Sequence, residues 1–207
     1  MKSHEFINEG ERPPPGFINK QVNKKLWKRI GSGADVSVWQ HIADPDTVVK
    51  IVGGGKMPTW QHGSGVKMYA KFCVDHANKS KHFPKVLDIN NDDPEVCQIR
   101  VEKLLPLPGI SDSLGHFLKE LAEHVKNDYW GNTKHNEYIV NRVQKEMDKL
   151  GLSEFNTIDD IMKAVKLLVD STLTYAKQFN HSPLFDVHSA NWMMRSDRTI
   201  VLSDPWH

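Results

Sequence analysis

The sequence predicts an α+β protein built in two lobes, and three features carry that expectation. Strand-type patterns dominate the first half of the 207-residue chain, and helix-type periodicity dominates the second. The two regimes meet at "LPLPG", residues 105–109, where two prolines and a glycine make a natural hinge. A chain of this length can bury one substantial core or divide it between two lobes. On this reading residues 1–18 form a flexible or extended arm, 19–105 an N-lobe of antiparallel sheet with one helix, and 106–207 a mainly helical C-lobe.

The elements follow in order. The opening "MKSHEFINEGERPPPGFINK" is polar and carries three consecutive prolines, which suits an arm. "KLWKRIGSGADVSVWQHI" reads as two strands around a glycine-containing hairpin, "ADPD" as a turn, and "TVVKIV" as a β-branched strand interrupted by Lys50. "GGGKMPTWQHGSG" is loop. In "VKMYAKFCVDHANK", Val66, Tyr69, Ala70, Cys73 and Val74 recur at helical spacing. "FPKVLDI" and "EVCQIRVEKLL" are two further strands joined by the polar turn "NNDDP". Beyond the hinge, "SDSLGHFLKELAEHV" opens on cap-type residues, and "NEYIVNRVQKEMDKLG" ends at Gly151. "TIDDIMKAVKLLVDSTLTYAKQFN" is the longest helix, capped by Thr157 and ending near Asn180.

Composition excludes several classes of function. Apolar residues make up 39% and charged residues 26%, with a formal charge of +1, so binding nucleic acid through bulk electrostatics is not expected. No apolar run is long enough to span a bilayer and no signal-peptide pattern is present, so the chain is expected to be cytoplasmic, without a membrane partner. Cys73 and Cys97 lack CxxC spacing and read as reduced core residues.

The chemistry concentrates near the end, in "FDVHSANWMMRSDRTIVLSDPWH", residues 185–207. Asp186, His188 and Asn191 are too closely spaced for one helical face and too polar for a buried strand, so they read as a functional loop. An apolar strand, "TIVL", and a second acid, Asp204, follow. Two earlier features join them. In "IGSGADVSV", Gly31 and Gly33 would let backbone amides approach a polyphosphate, though a simple β-turn also explains such a pair. Lys50 inside an apolar strand is costly if buried without a partner; it either faces solvent or reaches phosphates held under the hairpin. "GGGKMP" is not a Walker loop, because Met57 stands where Ser or Thr should bind magnesium.

Taken together, GxGxxxxV (Gly31, Gly33, Val38), the strand lysine Lys50, the Asp186–x4–Asn191 loop and Asp204 resemble, in order and on the expected elements, the protein-kinase fold. His188, two positions after the acid, is similar to the aminoglycoside phosphotransferase-like families. The combination "FDVHSANWMM…LSDPW" looks most like the small serine/threonine kinases of T7-like bacteriophages, as do "GVKMYAKFC" and "FPKVLDI". That resemblance implies ATP and magnesium, phosphorylation of host proteins during infection, and the host bacterial cytoplasm. By the family pattern Lys50 pairs with nucleotide phosphates under Gly31, Gly33 and Val38. The backbone from Glu102 to Leu104 binds the adenine edge, and Asn191 and Asp204 hold magnesium. Asp186 receives the acceptor proton, and His188 donates a hydrogen bond to the transferred phosphoryl.

The sequence departs from that pattern in four places. Val36 replaces the third loop glycine, and the helix after Lys50 has no glutamate, leaving Asp75 or the Tyr69 hydroxyl as candidate partners. Pro205–Trp206 follows Asp204 in place of Phe–Gly, and the chain ends three residues after Asp204, a two-lobed kinase-like fold with a truncated C-terminal lobe. A minimal kinase, a homodimer that completes the enzyme and a fold retained for binding all accommodate that ending. Two alternatives to a protein kinase therefore stand: a small-molecule phosphotransferase, and a catalytically silent kinase-like protein that binds and inhibits a host protein.

Overall fold

The computed structural model describes residues 26–32, 36–53, 64–93, 96–108, 112–127, 133–181 and 183–206. The expected arm, Gly33 and most of the triple-glycine loop lie outside the described residues. The chain divides into two compact units, Met1–Gly63 with Val86–Lys103, and Ser64–Lys85 with Leu104–His207. It is an α+β fold of antiparallel sheet and helices, as the sequence predicts.

The first unit is an antiparallel sheet of β1 (Trp27–Ser32), β2 (Val36–His41), β3 (Asp44–Gly53), β4 (Val86–Asp93) and β5 (Val96–Glu102), in the order β1-β2-β3-β5-β4. Its centre is β3, whose β-branched run buries Val48, Val49, Ile51 and Val52, so both faces are covered. Each such side chain contributes about 1.5–3 kcal/mol on leaving water. Trp27 and Trp39 pack against the Val49–Ile51 face. The turn expected over "ADPD" is instead the pair Ile42–Ala43, and β3 begins at Asp44. Polar partners explain the earlier start. The Asp44 carboxylate accepts from Arg100 at 2.8 Å and from the Thr47 hydroxyl, and the Pro45 carbonyl accepts from Gln40 at 2.7 Å. "NNDDP" is likewise mostly strand, since Asp93 of β4 pairs with Val96 of β5.

The second unit holds α1 (Ser64–Asp75), β6 (Leu105–Pro106), α2 (Asp112–Asn127), α3 (Thr133–Lys149), α4 (Ile158–Phe179), β7 (Trp192–Met194) and β8 (Ile200–Leu202). The Thr157 side chain accepts from Asp160 N at 3.2 Å and caps α4, and Asn180 closes it in the left-handed region at φ 47°. Gly151, at φ +66°, takes the same role after α3. α4 buries Ile158, Ile161, Ala164, Val165 and Leu168 along one stripe. The expected hinge is partly strand, because Leu105 and Pro106 pair with Met194 and Met193 in a β6-β7-β8 sheet.

α1, grouped with the first lobe by sequence, packs within the second unit. Its inward face carries Tyr69 and Phe72, which join an aromatic cluster of Phe83, Tyr175 and Trp206 with ring centroids 4.8–6.0 Å apart. Trp192 and Trp206 are both core residues, and Cys73 and Cys97 are buried and reduced. Among the described residues no helix is long and apolar enough to cross a membrane.

Candidate functional site

The segment from Phe185 to Trp206 closes on itself. Its middle is the β7–β8 hairpin, in which Trp192, Met193 and Met194 pair with Leu202, Val201 and Ile200. Asp186, Val187 and His188 lead into a short 3-10 turn, Ser189–Asn191, immediately before β7. Pro205 O accepts from Asp186 N at 2.8 Å, and Phe185 and Trp206 form an antiparallel bridge. Asn191 O accepts from Ser203 N at 2.7 Å and from Ser203 Oγ at 3.1 Å. Asp204 therefore stands between two residues whose backbones are tied to Asn191 and to Asp186. The expected acid, amide and second acid are brought to one end of the hairpin.

Side-chain contacts set the orientation of this group. Asn191 Nδ2 donates to Asp186 O at 2.8 Å, which fixes the amide and directs its oxygen away from that carbonyl. His188 Nε2 lies 2.8 Å from Asp186 Oδ1, with the imidazole 64% and the carboxylate 25% exposed. The turn rests on α2: a Cβ built on Gly115 would lie 2.8 Å from Ser189 Cβ and 3.1 Å from Ser189 O. Only glycine permits that approach.

Behind the site, the Tyr69 hydroxyl donates to the Leu202 carbonyl, two residues before Asp204. Burial, with Cys73 and Asp204 nearby, pushes its pKa well above the ordinary phenol range, so it remains a proton donor. Asp75 is engaged by Lys71 and by the Tyr175 hydroxyl at 2.6 Å. Tyr69 and Asp75, the two helix residues considered as partners for Lys50, thus both make contacts inside the second unit. What sequence reasoning missed is the acceptor of the Tyr69 hydroxyl, the Leu202 carbonyl 133 positions away. The tyrosine reads as core by periodicity, yet its hydroxyl needs a buried acceptor.

Three of the remaining candidates lie in the first unit as one row across the sheet. Gly31 is opposite Val38, and Val38 opposite Lys50. Residues directly paired across antiparallel strands share a face, so Val38 and Lys50 point the same way. A Cβ on Gly31 would meet only ordinary contact with Val38, at 3.6 Å, so packing within the sheet does not require glycine there. Glu102 ends β5 opposite Thr47, and the Lys103 amide donates to Asp46 O at 2.8 Å. The division between units falls immediately after Lys103, which places Leu104 in the second.

No protein-family model matches the sequence, and no curated protein matches it. Among solved structures, the chain is similar to the GDP and kanamycin complex of APH(2")-IIia. Identity is 13%, the match covers 86% of this chain and 69% of that one, and the TM-score is 0.38.

Proposed function

We propose that the protein is a kinase-type phosphotransferase with a protein-kinase-like fold, transferring the γ-phosphate of ATP to serine or threonine hydroxyls of proteins. The observation that supports this most is the closure that gathers Asp186, Asn191 and Asp204. Hydrogen bonds from Asp186 N to Pro205 O, from Asn191 Nδ2 to Asp186 O and from Ser203 N to Asn191 O hold the three together. Phosphoryl transfer asks for positioned charge more than for covalent chemistry, and a pinned turn supplies position.

The donor set suits magnesium, which takes hard oxygen ligands and keeps several waters. The Asn191 amide oxygen and the Asp204 carboxylate would hold it, and when bound it neutralises charge on the transferred group. Asp186 accepts the proton of the attacking hydroxyl, with His188 steadying the carboxylate. Lys50, Gly31, Gly33 and Val38 are assigned to the nucleotide, and the Glu102–Leu104 backbone to adenine. A glycine at 31 that packing does not require is consistent with close approach of a phosphate. By sequence resemblance, the proteins phosphorylated belong to a bacterial host of a T7-like phage, and the enzyme works in that host's cytoplasm.

The histidine of "DVHSAN" favours a second reading, a small-molecule phosphotransferase. Incubating the purified protein with γ-labelled ATP, magnesium and host lysate separates the readings. Label in protein bands that is lost in Asp186→Asn supports the first, since a general base contributes about 10²–10⁴-fold. Label only in soluble metabolites supports the second. No label, with a stable complex recovered from lysate, points to a silent binding protein.

A further inference from the structure

At the end of the β7–β8 hairpin opposite Asn191 and Ser203, the turn Arg195–Thr199 forms one wall of a separate cavity of about 750 Å³. The loop after α1 and the exposed side of α4 form the others, all within the second unit. That volume lies in the range of small-ligand pockets. Its charge is lopsided. Lys79, Lys81, Lys85, Lys163 and Arg195 line it against only two carboxylates, Asp160 and Asp197, an excess of three positive charges in a chain whose net charge is +1.

The walls are built. Arg195, buried, donates to the carbonyls of Lys81 and Phe83, at 2.7 Å for the latter, and so fixes the loop without losing its charge. Lys81 Nζ is held by the Phe155 carbonyl at 2.8 Å. Asp197 is committed to its own turn, accepting from Thr199 N at 2.9 Å. His82, 1% exposed, lines the same cavity with Nδ1 2.7 Å from the Ile200 carbonyl. Nδ1 therefore carries the ring proton, and Nε2 is left as an acceptor with no hydrogen-bond partner among the described residues. A buried acceptor without a donor is uncommon in native proteins and points to a bound group that supplies one.

We propose that this cavity is a binding site for a compact phosphate-type polyanion, one that retains a P–OH at neutral pH. Clustered lysines match its charge, and the retained hydroxyl is a donor for the His82 ring. The proposal does not rest on the phosphotransferase reading, because it uses none of the residues assigned to that chemistry.

Inorganic pyrophosphate is the probe, titrated into the full chain with EDTA present and no magnesium, so that a metal at Asn191 and Asp204 is not recruited. Saturable binding is expected, with chemical-shift changes centred on residues 77–85 and on the His82 imidazole. The double variant Lys79→Gln/Lys163→Gln, both exposed positions, should bind roughly tenfold more weakly, from about a factor of three per exposed ammonium. Lys145→Gln, an exposed lysine outside both sites, should bind as the parent does. Thermal unfolding of the double variant at the parental temperature shows that the fold is kept. Affinity unchanged in the double variant, affinity lost in Lys145→Gln, or the same shift changes produced by sodium chloride at equal ionic strength would each overturn the proposal.

Discussion

Gly115→Ala should destabilise the protein and weaken catalysis together, against the usual rule for helices. In an ordinary helix interior this change adds about 1 kcal/mol of stability through propensity. Here the new methyl would lie 2.8 Å from Ser189 Cβ, 3.1 Å from Ser189 O and 3.2 Å from Ser189 Cα. Carbon atoms pack at about 3.5–4.0 Å, so α2 and the turn must separate by roughly 0.7–1.2 Å. Overpacking of that kind costs about 1–3 kcal/mol, which leaves a net loss of about 1 kcal/mol after the propensity gain. The displaced element is the one that carries Asn191 and follows Asp186, and a misplacement of about 1 Å can lower a rate by about 10²-fold. Urea unfolding and phosphate transfer from γ-labelled ATP, measured on the same preparation, test both halves. Ser189→Gly in the Gly115→Ala background removes the nearest atom and should restore part of each loss. A stabilised Gly115→Ala protein with full activity would show that α2 does not press on this turn.

Three further outcomes follow from single residues. Asp204→Asn should raise the magnesium concentration needed for half-maximal transfer while leaving stability nearly unchanged; an unaltered magnesium titration removes Asp204 from the metal. Asn156, buried, donates to Leu152 O and Arg198 O and accepts from Ile200 N, so Asn156→Ala should cost about 3 kcal/mol in urea unfolding. A loss well below 1 kcal/mol would mean that the hairpin is not tied down there. Burial alone would raise the Asp44 carboxyl, but the Thr47 hydroxyl and Arg100 guanidinium outweigh it and hold the pKa below the usual carboxylate range. A depressed pKa stabilises above the unfolded value near 4 and loses that contribution as pH falls through the lowered one. The stability gap between the parent and Asp44→Asn, present at pH 7, should therefore close in acid; a gap independent of pH refutes the pairing.

Periodicity made the helices and the central strands legible, because their apolar spacing is decided locally. Thr157, Asn180 and Gly151 likewise announce helix ends through backbone chemistry that needs no tertiary partner. What sequence could not display were contacts made across long separations. The start of β3 at Asp44 depends on Arg100, fifty-six positions away, and β7, only Trp192–Met194, exists because β8 and β6 flank it. Asp186, His188, Asn191 and Asp204 were legible as a spaced set. Several of the bonds that join them run through backbone groups of Asp186, Asn191, Ser203 and Pro205, which side-chain spacing does not reveal.

α1 carries no glutamate, and other contacts hold it in place. An acid there would hold the helix by a charge pair, whereas this helix is held by shape. Tyr69 and Phe72 pack on Trp206 with centroids 5.8 and 5.4 Å apart, and the Tyr69 hydroxyl takes the Leu202 carbonyl. Leu202 and Trp206 are each two residues from Asp204, so one helix steadies the chain on both sides of that acid. Aromatic packing is directional and indifferent to salt, and Trp206, fully buried, cannot leave without exposing the cluster. The Pro205–Trp206 pair that departs from the kinase pattern thus has a physical role of its own: the tryptophan anchors the segment that carries Asp204.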